Sequence, residues 1–398
     1  MPWKETSVQE QRFRLIEAWK EDRRSLAALC RDYGVTRRTG YKWIERYQAE
    51  GLDGLRDLSR APQHHPNAIG RETEGRVIAL RGRYPFWGAR KIHAWLKREE
   101  PKLELPAVST IGAILKQNGL TVPRKRRATA RPNSEPLAHA QGPNLVWCAD
   151  FKGWFRTGDG TRIDPLTITD ACSRYLLRCQ TVQAADFAHS KPVFEAAFRE
   201  YGLPERIRTD NGAPFGSNGE SGLTGLTVWW TKLGIQPERI QPGRPEQNGR
   251  HERMHRTLKQ ATASPPAATR RAQQERFDQF QKEYNEQRPH EALGQVPPAR
   301  VYQSSPRQYP ARLPAVEYPA VWPVRLVSWG GQIRWRCASV FVAKALEGEP
   351  VGLEQIDEHC WRVWFLNHEV GVLDEDRGKI YRPDRWAKRM RREVERGA

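Results

Sequence analysis

The sequence predicts a multidomain chain with helical units at the front, a mixed α/β domain in the centre and a small β unit near the C-terminus. Apolar residues recur at helical spacing between residues 8 and 122, whereas runs typical of buried strands begin near Asn144. The later order of strand, strand, strand, helix, strand, helix predicts a mixed sheet. A chain of 398 residues is long enough for two to four domains with separate cores.

The chain carries a large excess of positive charge. Its 66 Lys and Arg residues outnumber its 47 Asp and Glu residues, which gives a formal net charge of +19. Such an excess is typical of proteins that bind a polyanion or an acidic membrane surface. The 15 Trp, 11 Tyr and 12 Phe residues exclude a merely disordered basic tail, so we expect folded domains that meet a polyanion.

Neither a membrane span nor an export signal is visible. The sequence has no run of 18 apolar residues, and its first residues, MPWKETSVQEQ, lack the apolar core of a signal peptide. We therefore expect a cytoplasmic protein with no membrane partner. The six cysteines form no CxxC pair, so we interpret them as small apolar residues rather than zinc ligands or disulfides.

Residues 8–60 are predicted to form a helix-turn-helix DNA-binding domain. Three short helices fit this range, with a tight turn at Gly34 and a candidate N-cap at Thr36. Tyr41 and Ile44 are expected to pack inward. A solvated basic helix in a small bundle is the alternative, and the charge of the whole chain favours DNA. The cations expected to enter a major groove are Arg37, Arg38, Lys42 and Arg46.

A second helical DNA-binding unit is predicted at residues 71–122, with plain scaffold as the alternative. Two helices separated at Tyr84-Pro85 precede a third. The basic, Pro-rich segment 123–143 is expected to be a linker that lies along DNA phosphates. Its predicted phosphate contacts are Arg124, Lys125, Arg126 and Arg127.

The rest of the chain divides by composition. Residues 144–302 are predicted to form the α/β domain, and a Pro-rich linker follows at 303–323. Residues 324–380 are predicted to form a small β unit, with a hairpin turn at Gly330-Gly331. Residues 381–398 are expected to be a basic tail.

Two carboxylates end predicted strands of the α/β domain. Asp150 ends LVWCAD and Asp210 ends RIRTD, and open α/β sheets place their sites at such strand ends. Asp is also common in turns, so each residue alone is weak evidence. Asp170 ends another strand, but its neighbours predict a hairpin turn, and we assign it a structural role.

The stretch GRPEQNGRHERMHRTLK contains two candidate glutamates. Glu246 follows a proline in a polar turn, whereas Glu252 falls within the first turns of a helix. Arg256 and Lys259 follow Glu252 at i+4 and i+7, so a carboxylate and two cations are expected on one helix face. This pattern suits a metal ion together with nucleic acid. The alternative, a surface ion pair, is equally consistent with the spacing.

Three of these stretches resemble the motifs of the integrase-like DDE transposases of bacterial insertion sequences, a group related to retroviral integrases. The stretches are WCADFKG, RTDNGAPF and RPEQNGRHERMHRTLK. The later YNEQRPHEALGQVPPARVY resembles a segment that follows the catalytic helix in these enzymes. The resemblance covers most of residues 10–302, and the combination of motifs is highly specific.

The resemblance implies an RNase H-like catalytic domain in which Asp150, Asp210 and Glu252 are the catalytic triad. In the family pattern the glutamate follows an Asn-Gly or Gln-Gly pair by three residues, as Glu252 follows Asn248-Gly249. Glu246 has no counterpart. Many relatives have Thr where this chain has Lys152, and the zinc-binding N-terminal module of retroviral integrases has no match here. An SH3-like fold for residues 324–380 is likewise expected by analogy with integrase relatives.

The resemblance also implies the chemistry. The triad would hold two Mg²⁺ ions, with Mn²⁺ as a substitute, for metal-dependent DNA cleavage and strand transfer. Asp150 would bridge both ions, Arg256 and Lys259 would position phosphates, and Asn248 would help to align DNA. The expected partners are double-stranded DNA, at the element ends and the target, and further copies of the chain, at least a dimer on DNA. Such a protein would be associated with the bacterial nucleoid.

Two alternatives remain at this point. A catalytically silent DNA-binding regulator derived from a transposase would use the helical units without needing the triad. A structure-specific nuclease of RNase H type would share the metal site but would not need two helix-turn-helix units.

Overall fold

The computed structural model describes residues 7–59, 69–121, 139–217, 221–241 and 249–397. The chain forms two compact units, residues 1–68 and residues 69–398. None of the described helices is both long and apolar enough to cross a lipid bilayer.

The first unit consists of three helices and a 3-10 turn, in agreement with the sequence. Ser7 and Thr36 cap the first and third helices, since their hydroxyls accept hydrogen bonds from Glu10 N and Thr39 N. Gly34, with φ +64°, supplies the left-handed conformation that ends the second helix. The elements are α1 Val8–Lys20, α2 Leu26–Asp32, α3 Arg37–Glu50 and the 3-10 turn Gly51–Leu55.

The core of this unit differs from the expectation at one position. Tyr41 was expected inside but is 58% exposed, whereas Ile44 is buried as predicted. The buried stripe of α3 runs through Gly40, Trp43 and Ile44, which puts Tyr41 on the outer side of the helix. Trp43 packs with Ile44, Ile16 and Leu55, and the Arg12 guanidinium lies 3.9 Å from the centre of its ring.

A second three-helix bundle begins the larger unit. The first two helices separate at Tyr84, as predicted, and the Tyr84 ring stacks on Trp87 at 3.9 Å between centroids. Arg81 donates hydrogen bonds to Trp87 O and Leu120 O, which ties the ends of the bundle together. The helices are α4 Arg71–Arg83, α5 Ala89–Glu99 and α6 Val108–Gln117. Their shared core contains Val77, Leu80, Ile92, Leu96, Ile111, Ile114 and Leu115.

The central domain is built on a mixed sheet. Its strands are β1 Val146–Phe151, β2 Phe155–Arg156, β3 Arg162–Asp170, β4 Leu176–Val182, β5 Arg206–Thr209 and β6 Gln236–Arg239. The order across the sheet is β4-β3-β1-β5-β6, and the short β2 pairs with the beginning of β3. β1 is antiparallel to β3 and parallel to β5, and β5 is parallel to β6. The sheet confirms the predicted RNase H-like α/β architecture, although β2 and β6 were not predicted.

Helices cover both faces of this sheet: α7 Phe187–Tyr201 and α8 Gly225–Lys232 on one, α9 Gly249–Thr262 and α10 Arg270–Lys282 on the other. Alternate residues of each strand reach opposite cores. The core under α7 and α8 includes Trp147, Ala149, Leu166, Ile168, Phe194, Phe198 and Trp230. The core under α9 and α10 includes Leu176, Cys179, Met254, Leu258, Phe277 and Phe280.

The segment after α10 holds three parts of the larger unit together. Asn285 exchanges two hydrogen bonds with the Leu176 backbone at the start of β4. Tyr302 donates to Asn144 Oδ1 and so supports the start of the sheet. Gln287 accepts hydrogen bonds from Trp95 and Arg98 of α5, which attaches the second helical bundle to the central domain.

The C-terminal part is an antiparallel β unit. A five-stranded sheet has the order β13-β12-β11-β10-β7, and β8 and β9 form a separate pair. Lys232 of α8 forms a 2.7 Å ion pair with Glu349, which joins this unit to the central domain. The elements are β7 Val324–Leu326, β8 Gln332–Trp335, β9 Ala338–Phe341, β10 Pro350–Asp357, β11 Cys360–Phe365, β12 His368–Asp374, β13 Lys379–Tyr381 and α11 Pro383–Gly397.

The predicted C-terminal β unit is confirmed, but the expected hairpin at Gly330-Gly331 is wrong. A turn is present there, since Gly331 N donates to Ser328 O. However, β7 pairs with the distant β10, and β8 pairs with β9. A local turn pattern contains no information about a partner strand more than twenty residues away. The segment expected to be a basic tail is helical, because α11 covers most of it.

Candidate active site

Asp150 and Asp210 lie at the same edge of the central sheet. Asp150 is the next-to-last residue of β1, and Asp210 directly follows β5. These strands are parallel neighbours, with Cys148 paired to Arg208. Continuing this register by two residues sets Asp150 beside Asp210, with both side chains on one face. The carboxyl ends of adjacent parallel strands are a common location for sites in α/β sheets.

Helix α9 packs over the face that carries Asp150. Thr167 pairs with Asp150 across the β1–β3 ladder, so both side chains point to this face. The Thr167 hydroxyl lies 2.6 Å from His251 Nε2 and 2.7 Å from His255 Nε2. Both histidines belong to α9, so one buried hydroxyl anchors the helix next to the first aspartate.

The two imidazoles are neutral at neutral pH. Burial lowers the pKa of His251 to about 3. Burial also lowers the pKa of His255 to about 2, with smaller contributions from His251 and Lys152. Neutral imidazoles can each donate one hydrogen bond and offer one lone pair, so they can serve as ligands or as fixed dipoles.

The hydrogen bonds of the Thr167 hydroxyl indicate which nitrogen of each imidazole keeps its lone pair. The Thr167 hydroxyl donates to Asp150 O at 3.1 Å, which leaves its lone pairs for two imidazole N–H groups. In that arrangement both histidines donate through Nε2 and keep Nδ1 unprotonated. His255 Nδ1 lies 3.9 Å from Asp150 Oδ2, so two electron-rich atoms face each other across a gap that suits a cation.

Among the His, Cys, Asp and Glu residues that the structure describes, one group could hold a metal ion. It consists of Asp150, His251 and His255. Their ligand atoms all lie within 4.8 Å of one another. Glu252 and Asp210 are not part of this close group. The predicted metal set of Asp150, Asp210 and Glu252 therefore stays a prediction.

Glu252 lies in the first turn of α9, as expected from the sequence, and its side chain is exposed. One residue corresponds to about 100° around a helix. Glu252 therefore borders the buried stripe of His251 and His255, on the side of α9 that also carries Lys259. Its carboxylate stands beside the Asp150 cluster rather than inside it.

Lys259 and Arg256 are neighbours at i+3 on α9, but they line different cavities. Lys259 lines a small cavity of about 90 Å³ together with Lys152. Burial and then Lys259 lower the pKa of Lys152, whereas Asp150 raises it, so these three charges are neighbours. Arg256 instead lines a separate, larger cavity.

The turn after β5 fixes Asp210. Gly212 N donates to Asp210 Oδ1 at 3.2 Å, and the Asn211 amide donates to Ile240 O at 3.0 Å. The second bond ties the turn to the chain that follows β6. Asn211 and Gly212 therefore shape the turn that carries Asp210.

Asp170 has the structural environment that the sequence predicted. Its side chain is fully buried and accepts hydrogen bonds from Ser173 N, Ser173 Oγ and Asn144 N. These bonds close the turn between β3 and β4 and hold the start of β1. Asp170 therefore stabilises the fold, as the sequence predicted.

The predicted DNA contacts are only partly within the described residues. Arg37, Arg38 and Lys42 are exposed on α3. Arg46 is half-buried and donates to Arg56 O at 2.8 Å, so it also supports the fold. Five predicted DNA contacts and Glu246 lie outside the described residues: Arg124, Lys125, Arg126, Arg127 and Asn248.

The sequence analysis did not identify Thr167, His251 or His255, although a signal was present. HERMH has the HExxH pattern, which places two histidines on one helix face and binds zinc in metalloproteases. Here both Nε2 atoms lie within hydrogen-bond distance of the Thr167 hydroxyl. The pattern therefore anchors α9 to β3 through a hydroxyl.

Family models match most parts of this architecture. Two models of the integrase core domain match residues 140–245 and 233–298. The central domain is an integrase core domain. A helix-turn-helix domain model matches residues 11–63, and a homeodomain-like domain model matches residues 39–115. The C-terminal domain of the IS481 family transposases matches residues 323–380.

Curated proteins similar to this chain come from insertion elements. A 39.2 kDa protein of insertion element IS476 from Xanthomonas euvesicatoria is 27% identical over 62% of this chain and 70% of that protein. The transposase InsD of insertion element IS2 from Escherichia coli is 28% identical over 71% of this chain and 93% of that protein. The predicted resemblance to insertion-sequence transposases is confirmed.

Solved retroviral integrases also match. The catalytic core domain of HTLV-2 integrase in complex with magnesium is 15% identical, with a TM-score of 0.33, over 41% of this chain and 99% of that chain. A chain of the simian T-cell lymphotropic virus intasome is 14% identical, with a TM-score of 0.36, over 74% of this chain and 97% of that chain.

Proposed function

We propose that this chain is an insertion-element transposase that cuts DNA at the element ends and joins those ends to a target by metal-dependent phosphoryl transfer. The observation that carries the proposal is the location of Asp150 and Asp210. Both end adjacent parallel strands, at one edge of a domain that integrase core models match. Two carboxylates on one face would repel each other unless a cation lay between them.

The donor chemistry fits magnesium. Asp150, Asp210 and Glu252 would hold two Mg²⁺ ions through hard carboxylate oxygens, and Mn²⁺ would also accept the imidazole of His255. Bound there, the ions would polarise the scissile phosphate and lower the pKa of an attacking water or 3′-hydroxyl. The exposed position of Glu252, in the first turn of α9, leaves its side chain free to turn towards the aspartates when a cation and DNA are present.

The surrounding residues would orient the carboxylates and the DNA. Thr167 and His255 hold α9 against β1, which fixes the direction from which Glu252 approaches Asp150. Lys152 and Lys259 stand beside Asp150 and would take the phosphates on either side of the reacting bond. The reaction requires no covalent protein–DNA intermediate, so these residues act by positioning and by charge.

The helical units would select the DNA. Models of helix-turn-helix and homeodomain-like domains match them, and α3 exposes Arg37, Arg38 and Lys42. We expect these cations to read the element ends in a major groove. Two ends must meet before joining, so we expect at least a dimer on DNA.

One observation favours a second candidate, a catalytically silent DNA-binding regulator. Glu252 is exposed and lies outside the close group formed by Asp150 and the two histidines. A protein that has lost catalysis could keep this arrangement. The two functions differ in whether the triad is needed for any DNA reaction.

A strand-transfer assay with Mg²⁺, element-end duplexes and a plasmid target tests the proposal. Wild type would be compared with Asp150→Asn, Glu252→Gln and the matched control Glu246→Gln. We expect joining to fall at least about a thousandfold in the first two variants, while end binding and joining by Glu246→Gln persist. If Glu246→Gln abolishes joining instead, the catalytic glutamate of the motif is Glu246 and not Glu252. A wild type that binds ends but never cuts or joins them would favour the regulator.

A further inference from the structure

A large basic cavity lies beside α9, the helix that carries Glu252. It has a volume of about 860 Å³ and lies between the second helical bundle, the outer side of α9 and the segment after α10. We call it the basic trough. Its cationic lining residues are Arg90, Lys91, Arg174, Arg250, Arg253, Arg256 and Arg288.

The charges of the basic trough are not balanced by acidic side chains. Among its described lining residues, Glu291 alone carries a carboxylate. Glu291 already forms an ion pair with Arg90, at 2.8 Å. Within the described part of the chain, none of the other six cations forms an ion pair with a carboxylate. Three of them bond to backbone carbonyls: Lys91 to Pro289 O, Arg250 to Ala171 O and Arg253 to Gly249 O.

Several of these cations are also partly removed from water. Burial lowers the pKa of Arg174 and of Arg288. Burial, with a smaller contribution from Arg288, lowers the pKa of Lys91 to about 8. Partly buried positive charges without counter-ions are unfavourable, so a group of them is typical of a surface that receives an anion.

Two helix N-termini add to the positive potential of the basic trough. α5 and α6 both begin at its wall, where Gly88, Ala89 and Val108 line the cavity. Neither helix has a side-chain cap, so its first N–H groups point outward without a side-chain acceptor. Such N–H groups, together with the helix dipole, bind phosphate oxygens.

We propose that the basic trough binds the phosphate backbone of a DNA duplex, away from the phosphate that is cut. The proposal rests on the proposed function, because it assumes a DNA substrate. Arg256, which lines the basic trough, stands one helical turn after Glu252 on α9, so the trough borders the side of α9 that carries Glu252. DNA that reaches the acidic edge can therefore place neighbouring backbone phosphates in the basic trough.

The test measures how salt affects binding of the full-length chain to a fluorescent duplex that carries the element end. The double variant Arg174→Gln/Arg253→Gln removes two trough cations. The control Arg271→Gln/Arg276→Gln removes two exposed cations from α10, with the same change in net charge. Arg253→Lys keeps the charge in the basic trough. Thermal melting of each variant shows whether the fold survives.

We expect the slope of log Kd against log salt to fall by about two in the trough variant, and affinity at 0.15 M salt to fall roughly 30-fold. The control and Arg253→Lys should stay close to wild type. If the trough variant instead matches the control while wild type binds and joins DNA, the trough proposal fails and the proposed function stands. A wild type that binds no duplex would overturn both.

Discussion

Replacement of Asp170 by alanine should destabilise the central domain by about 2–4 kcal/mol. The side chain is fully buried and accepts three hydrogen bonds, from Asn144 N at 2.8 Å, Ser173 N at 2.7 Å and Ser173 Oγ at 2.6 Å. The hydroxyl can rotate to another acceptor, but the two backbone N–H groups cannot.

The magnitude follows from those two N–H groups. Each buried donor without an acceptor costs about 1–3 kcal/mol. Burial raises the pKa of Asp170, although its hydrogen bonds lower it, so the ionised carboxylate itself carries a desolvation cost that alanine removes. The net loss is therefore somewhat below the sum for two orphaned donors.

The assay is urea unfolding of the full-length chain, with amide hydrogen exchange on β1 and β3 to isolate the central domain. Asp159→Ala is the control, because Asp159 is exposed and caps a surface turn with the same chemistry. We expect the exchange-derived stability of β1 and β3 to fall in Asp170→Ala and to change little in the control.

The pH dependence has a defined sign. Because the pKa of Asp170 is raised in the folded state, the folded state binds this proton more tightly than the unfolded state does. Its contribution to stability is therefore largest below the ordinary aspartate pKa of about 4 and declines as pH rises through the folded pKa. The loss caused by Asp170→Ala should shrink with rising pH.

Two results would refute this reasoning. Unchanged exchange on β1 and β3 would mean that the N–H groups find other acceptors. A variant of wild-type stability that no longer joins DNA would mean that Asp170, not only Asp150, takes part in the reaction.

Three further predictions concern other parts of the chain. Thr167→Val leaves two buried imidazole N–H groups without an acceptor and should lower the free energy of unfolding in urea by about 2–4 kcal/mol. Thr167→Ser keeps the hydroxyl and should cost about 1 kcal/mol or less. Equal losses in the two variants would mean that the hydroxyl does not anchor α9. Burial and then Lys91, Arg288 and Arg174 lower the pKa of His290 from 6.5 to about 3, so its contribution to stability is lost as pH falls below about 6.5. The stability gap between wild type and His290→Gln should therefore shift by about 2 kcal/mol between pH 7 and 5, and a constant gap would contradict that assignment. Gly40→Ala would place a Cβ 2.5 Å from Cys30 Sγ and should lower the stability measured by thermal unfolding by about 1–3 kcal/mol. Adding Cys30→Ala should restore most of that stability. If it does not, the strain lies elsewhere.

Local patterns predicted most elements of the fold. Thr36 caps α3 and Gly34 ends α2 as expected, because caps and left-handed glycines act through their immediate neighbours. Tyr41 was placed inside incorrectly, because Trp43 and Gly40 define the buried side of α3. Tyr41 and Trp43 are two residues apart, which is about 200° around a helix, so they lie on different faces.

Pairings between distant segments were beyond local patterns. β6 was not predicted, because its QPER sequence has little strand character and is ordered by pairing with β5. The same holds for β7, whose partner β10 was not the strand that the nearby glycine turn suggested. In both cases the energy of the strand comes from its neighbour rather than from its own residues.

The sequence by itself determined that Asp150 and Asp210 end buried strands and that Glu252 lies in the first turn of a helix, since strand and helix periodicity are local properties. Only the tertiary structure decided that β1 and β5 are parallel neighbours, which sets the two aspartates on one face. It also brought His251 and His255 onto Thr167, and seven cations of separate elements into one trough. Strand order and helix docking depend on burial between segments far apart in the chain, and no single segment encodes them.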